Sequence, residues 1–147
     1  MRKHLVDPIP RMAPAVTNDT ESFWTGGANG QLLIQRCNAC EYYMHPPFPV
    51  CRRCRSFDVS PASVSGRARV YSFTINRHPW TDPSEQPYVV AVVELVEQPE
   101  LFITTNIVGC DVAVVHVDME VEVDFVPKDD AFIPVFWPIA DNAGCQA

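Results

Sequence analysis

The chain has 147 residues, 47% of them hydrophobic, a formal net charge of −7 and a pI near 4.9. That is enough apolar material to bury a core, which excludes a disordered chain, and no apolar run reaches the roughly 18 residues of a membrane span. The acidic balance argues against a general nucleic-acid binder, whose affinity for phosphate backbones comes mainly from Lys and Arg.

Fourteen prolines against six glycines predict short extended segments and turns rather than long helices. The N-terminal MRKHLVDPIPRM lacks the apolar stretch of a secretory signal, so a cytoplasmic location is expected. Residues 1–16 carry Pro8, Pro10 and Pro14 without periodicity and read as an extended arm. A helix and a metal module follow over residues 17–62. Thr17–Trp24 offers good N-caps and ends in Gly26-Gly27, which predicts about two helical turns anchored by Phe23 and Trp24. Gln31–Arg36 reads as a short strand running into the first cysteine.

Residues 63–137 are patterned as strands. Val64–Asn76 is expected to be one long strand, with a bend or bulge allowed at Gly66. Tyr88–Leu95 (YVVAVVEL) is a continuous β-branched run, as in a strand covered on both faces. Leu101–Val108 is a third strand. Met119–Val126 alternates, with Met119, Val121, Val123 and Phe125 facing in and Glu120, Glu122 and Asp124 facing out. Phe132–Trp137, broken by Pro134, reads as an edge strand. Five strands without long helices predict a small β-barrel of the OB type, with a helical turn after Asp111 in its usual insertion. Residues 138–147 are a tail.

Charge is segregated along this plan. Residues 36–77 hold seven arginines against Glu41 and Asp58, whereas from residue 78 onward thirteen acids face one base, Lys128. One end could attract a phosphate-bearing ligand while the other repels a polyanion; the alternative is a set of solvated surface arginines.

Four of six cysteines form two C-x-x-C knuckles, Cys37/Cys40 and Cys51/Cys54, separated by ten residues. Such spacing puts four thiolates around one point, as tetrahedral zinc requires. The expected cofactor is one structural Zn(II) per chain, because four thiolates leave no open position for chemistry. Two disulfides are the alternative, and they are rare in a cytosolic chain. Rubredoxin-type iron suits the same ligands; zinc is favoured because no redox partner or second cofactor is evident. Cys110, at a strand end, is expected to be a buried structural thiol, and Cys145 to be incidental. The histidines His4, His45, His78 and His116 have no metal spacing and no evident nucleophile partner. His78, in Arg77-His78-Pro79-Trp80, lies at a strand-to-loop junction suited to ligand contacts. No nucleophile elbow, phosphate-binding glycine loop or dinucleotide fingerprint occurs.

The ordered series is more specific than any one motif. Phe23-Trp24, Gly30-x-Leu32, the two knuckles around Pro46-Pro47, Ser65-Gly66 before a long strand, Tyr88 before the strand ending Val93-Glu94-Leu95, and Asn106 to Asp111 together resemble the DUF35 family over about residues 17–137. The resemblance implies a rubredoxin-like zinc ribbon followed by a five-stranded OB-fold, in an accessory subunit of an acyl-CoA-processing complex. Members of that family look like partners of thiolase-fold enzymes, and some accompany MaoC-type hydratases. Certain complexes are retro-aldolases that cleave a steroid acyl-CoA, with the catalytic residues in the partner. Hetero-oligomers are thus expected, with no nucleic acid and no membrane. The Pro-rich arm and Phe132–Pro138 depart from a minimal member and are candidate docking segments. A CoA ester would need cations for its phosphates, and Arg52, Arg53, Arg67, Arg69, Arg77 and His78 are the candidates. If no bulge intervenes, Arg67, Arg69 and Arg77 share strand parity with Tyr71, Phe73 and Ile75, so cations would lead into an apolar wall. Alternatively those apolar residues line the core, and the arginines cap its rim or meet acids on a partner. The runner-up reading is a nucleic-acid-binding ribbon and OB module, with the arginines, Tyr71, Phe73 and Trp80 as its surface.

Overall fold

The computed structural model describes residues 9–139. Residues 9–16 run without regular secondary structure. They lead to α1 (Glu21–Thr25), which passes at Gly26 into a 3-10 turn (Gly26–Asn29) closed by left-handed Gly30. The helix is shorter than the two turns expected, because it starts only at Glu21: residues 18–20 form a turn in which the Thr17 N–H donates to the Thr20 hydroxyl at 3.0 Å. Phe23 is nevertheless buried, and Trp24 packs at the edge of the same core.

Two sheets follow. The first is antiparallel, in the order β2-β1-β3, from β1 (Leu32–Cys37), β2 (Tyr43–Met44) and β3 (Val59–Val64). Strand β3 pairs along the whole of β1, with Pro61 opposite Gln35. The second is a closed barrel in the order β4-β5-β6-β8-β7, from β4 (Arg67–Asn76), β5 (Tyr88–Leu95), β6 (Phe102–Ile107), β7 (Glu120–Lys128) and β8 (Ala131–Pro138). Between β6 and β7 lies the expected turn, a 3-10 segment over Val112–Val114; the Asp111 carboxylate caps it by accepting the Ala113 N–H at 2.8 Å. A closed five-stranded barrel with this strand order and insertion is an OB-fold.

The single strand expected over Val64–Asn76 is instead two strands in two sheets. The chain turns at Gly66, at φ 79°, where an added Cβ would lie 2.4 Å from Val123 Cγ1. Only glycine takes that turn so close to the neighbouring strand.

Four further expectations need correcting. First, β8 is no edge strand: it pairs with β7 from Ala131 to Pro138 and meets β6 in parallel at Ile107–Phe136. Proline at 134 has no N–H to give, and its carbonyl instead accepts the Thr105 hydroxyl at 2.9 Å. Second, Pro134 through Pro138 are buried, so Phe132–Pro138 is barrel wall rather than a docking segment. Third, the alternation of β7 fails after Val123. Asp124 is buried, and Val126 joins Val108, Val135 and Trp137 in a second apolar cluster that Ile9 of the arm covers. Fourth, a bulge does intervene in β4. Its pairing with β5 slips between Val70 and Ser72, so Phe73 and Ile75 turn toward the core on which Ala68 and Val70 already pack. Arg67, Arg69 and Tyr71 stay outside, and Tyr71 stacks on Phe102 at 4.6 Å.

Strand β5 alternates, with Val89, Ala91, Val93 and Leu95 in the core. Its outward Tyr88 and Val90 are partly sheltered under the arm, where Arg11 donates to Asn106 Oδ1 at 2.9 Å.

Candidate metal centre and arginine surface

Strand β1 delivers Cys37 to the first knuckle, which closes when the Glu41 N–H donates to the Cys37 carbonyl at 2.9 Å. The second knuckle repeats that geometry, with Arg55 N–H on the Cys51 carbonyl at 2.9 Å. Glu41 and Arg55, each following the second cysteine of its knuckle, sit at φ 64° and 65°. The four Sγ atoms lie within 4.8 Å of one another, with Cys37–Cys54 at 3.6 Å and Cys40–Cys51 at 3.5 Å. Tetrahedral zinc with Zn–S near 2.3 Å separates its sulfurs by about 3.8 Å, so the cluster fits the ion. The N–H groups of Cys54 and Arg53 approach Cys51 Sγ at 3.5 and 3.3 Å and pull its thiol down to about 6. Cys40 feels the lowering N–H of Tyr42, but desolvation and the three neighbouring sulfurs push it up to about 12. A cluster that resists full ionisation without a cation is completed by one. The four cysteines form one structural zinc site, which would cross-link the two knuckles and leave no position open.

The joint between ribbon and barrel carries no motif of its own. Gln98, between β5 and β6, accepts the Tyr43 N–H at 2.9 Å and donates to the Tyr43 carbonyl at 3.1 Å, much as a strand neighbour of β2 would. Glu97 beside it accepts the Ser65 N–H at 2.7 Å. No sequence pattern distinguishes this glutamine from a surface one.

The arginine candidates fall in three places. Arg52 and Arg53 are exposed on the second knuckle, Arg52 lying 5.0 Å over the Phe48 ring. Arg67 and Arg69 begin β4. Arg69 is already engaged: Nε and Nη2 reach Glu94 at 2.8 and 2.7 Å, and Nη1 reaches Asp118 at 2.8 Å. The open cleft beside it, about 690 Å³, is also lined by Glu94, Asp118 and Glu120. Arg77 and His78 follow the far end of β4, a ten-residue strand, which puts them about 30 Å from Arg67 at roughly 3.3 Å per residue. No single phosphate group could touch all three places. Among the described histidines, His45 packs tilted against Phe23 at 4.6 Å, His78 meets Trp80 edge-on at 4.6 Å, and His116 Nδ1 lies 3.0 Å from the Val114 carbonyl. Cys110 is half-buried, while His4 and Cys145 lie outside the described residues.

Residues 24–60 match the family model of the ChsH2 rubredoxin-like zinc ribbon domain, and residues 62–126 that of the ChsH2 C-terminal OB-fold domain. The chain is 38% identical over 129 residues to a probable enoyl-CoA hydratase alpha subunit of Thermomonospora curvata, covering 87% of this chain and 40% of that protein. It is 32% identical over 125 residues to the 3-oxo-4,17-pregnadiene-20-carboxyl-CoA hydratase alpha subunit of Mycobacterium tuberculosis, covering 85% and 39%. It thus spans about two fifths of the length of these relatives. Among solved structures, the Ltp2-ChsH2(DUF35) aldolase superposes with a TM-score of 0.76 at 36% identity, over 86% of this chain and 98% of that one. With the ribbon, the barrel and these likenesses in agreement, the chain belongs to the DUF35 family.

Proposed function

We propose that the chain is a non-catalytic, zinc-stapled subunit of an acyl-CoA-processing complex whose active residues lie in a thiolase-fold partner. The complex would be a retro-aldolase acting on a steroid side-chain acyl-CoA. The observation that carries this reading is the likeness to the aldolase named for both Ltp2 and ChsH2, which extends over 98% of that chain. The Mycobacterium tuberculosis relative, named for a steroid acyl-CoA, supports the substrate class. A ribbon whose metal site is closed by four thiolates supports an architectural role, because such zinc has no place for a substrate. The test is co-purification of the tagged chain from its native host, with the retained protein identified by mass spectrometry. A thiolase-fold protein at fixed stoichiometry is expected; recovery of the chain alone would contradict the reading.

A second reading is favoured by the names of the relatives, both alpha subunits of hydratases. In it the partner is a MaoC-like hydratase, and the same pull-down separates the two.

Contact with CoA phosphates belongs to this proposal. Arg52, Arg53 and Arg67 are its best candidates, and Arg77 with His78 could serve only a different part of the ligand. Arg69, held by two carboxylates, is the weakest. Changing Arg67 to Glu should raise the acyl-CoA KM of the complex about tenfold or more at constant partner affinity. Loss of assembly at unchanged KM would assign that arginine to the protein interface.

A further inference from the structure

The connection from β4 to β5, residues 77–87, is long and carries no helix or strand, yet its own hydrogen bonds hold it. The Glu85 carboxylate accepts the N–H groups of Trp80, Thr81 and Asp82, each at 2.9 Å, and the Thr81 hydroxyl as well. Asp82 accepts the Ser84 N–H at 2.8 Å and the Ser84 hydroxyl at 2.5 Å. Asn76, at the end of β4, accepts the Trp80 indole N–H at 2.8 Å and donates to the His78 carbonyl at 2.9 Å. Pro79, Pro83 and Pro87 restrict the backbone further.

What this scaffold displays is Trp80, with 68% of its surface in water. Its one polar atom is already satisfied inside the loop, and its ring contact is the edge of His78. An indole whose only donor is spent has nothing further to gain from water, and the rest of its surface is apolar area awaiting cover. A loop that fixes such a ring before binding has already met the ordering cost that association would otherwise impose. The loop also lies at the end of the β4–β5 hairpin opposite the β5–β6 turn that grips the ribbon, so it points away from the zinc module.

We infer that residues 77–87 are a docking element, and that Trp80 inserts into an apolar pocket with a basic rim on the partner protein. This rests on the reading that the chain works in a complex. The basic rim follows from charge: Asp82 and Glu85 flank the ring, Thr81 and Ser84 hold their carboxyls below the usual range, and the chain from residue 78 onward is strongly acidic. The loop stands at the end of a hairpin, and among the described residues the clefts beside the arm, beside α1 and beside Arg69 are lined by none of residues 77–87, which suits a protein pocket better than a small ligand, since ligand sites are concave. Tryptophan and arginine, here Trp80 and Arg77 of one loop, are also the residues enriched at interface hot spots.

The test uses the full chain and the partner that co-purifies with it. Trp80→Ala should weaken assembly about 30-fold or more, the scale of a hot spot, and Trp80→Phe should weaken it less. Glu85→Ala frees the loop while leaving the ring, and should weaken assembly about five- to tenfold through slower association. Raising the salt from 50 to 500 mM should slow association of the wild-type pair. Affinity for the partner within threefold of wild type in Trp80→Ala overturns the inference and leaves the complex standing. Absence of any partner overturns both. A third outcome also overturns it: adenosine 3′,5′-bisphosphate quenching Trp80 fluorescence while Trp80→Ala assembles normally would make the loop a nucleotide contact.

Discussion

Serine in place of Cys37, Cys40, Cys51 or Cys54 removes one of four thiolates that together hold the knuckles, and a ribbon this small has little core of its own. Each such variant should lose zinc, and the Cys37→Ser, Cys51→Ser pair should retain almost none by elemental analysis. Full zinc in that pair would contradict the site. Because Cys40 starts near 12 and Cys51 near 6, zinc must displace protons, so a chelator should extract it faster as pH falls from about 8 to 6. His45 gives a second pH effect. Burial lowers its pKa from 6.5 to about 4, so the unfolded chain binds a proton more readily than the folded one. The stability associated with neutral His45 is complete above pH 6.5 and is lost between 6.5 and 4, to the extent of about 2–3 kcal/mol. In denaturant melts, the loss of stability from pH 7 to pH 4.5 should be smaller in His45→Gln than in the wild type; an equal loss in both would remove His45 from the account. The cysteines were legible in the sequence because tetrahedral coordination imposes a local spacing. The inward turn of Phe73 and Ile75, away from the face of Arg67, Arg69 and Tyr71, was not, because the bulge at residue 71 leaves no mark in composition and reverses the parity of everything after it.

Elements with a strong intrinsic pattern could be read directly. Tyr88–Leu95 is a β-branched run and is β5 to the residue, whereas the turn after Asp111 is weakly patterned and is expected from where an OB-fold carries its insertion. Elements that depend on a distant partner could not. Strand β3, with Pro61 at its centre, exists because β1 offers a full register to pair with. Strand β8 tolerates Pro134 because a threonine hydroxyl closes the seam. The same dependence makes Gln98 a testable joint. Gln98→Ala removes two hydrogen bonds between ribbon and barrel, at about 0.5–1.5 kcal/mol each. Hydrogen exchange should quicken in β2 and in the β5–β6 turn while the β4–β5 pairs keep their protection. Unchanged exchange at Tyr43 would mean that the ribbon is held elsewhere.

At the scale of the molecule, the arginines are spread over the knuckles and both ends of β4 while the acids gather from residue 78 onward, and a metal held by four thiolates binds rather than reacts. On the proposed function the chain serves as a scaffold, and activity should appear only with a partner. The direct measurement is turnover of a steroid side-chain acyl-CoA by the chain alone, by its co-purified partner alone and by the two together. Aldol cleavage is expected with the pair, far less with the partner alone and none with the chain alone; cleavage by the isolated chain, or a partner indifferent to its presence, would contradict an accessory role.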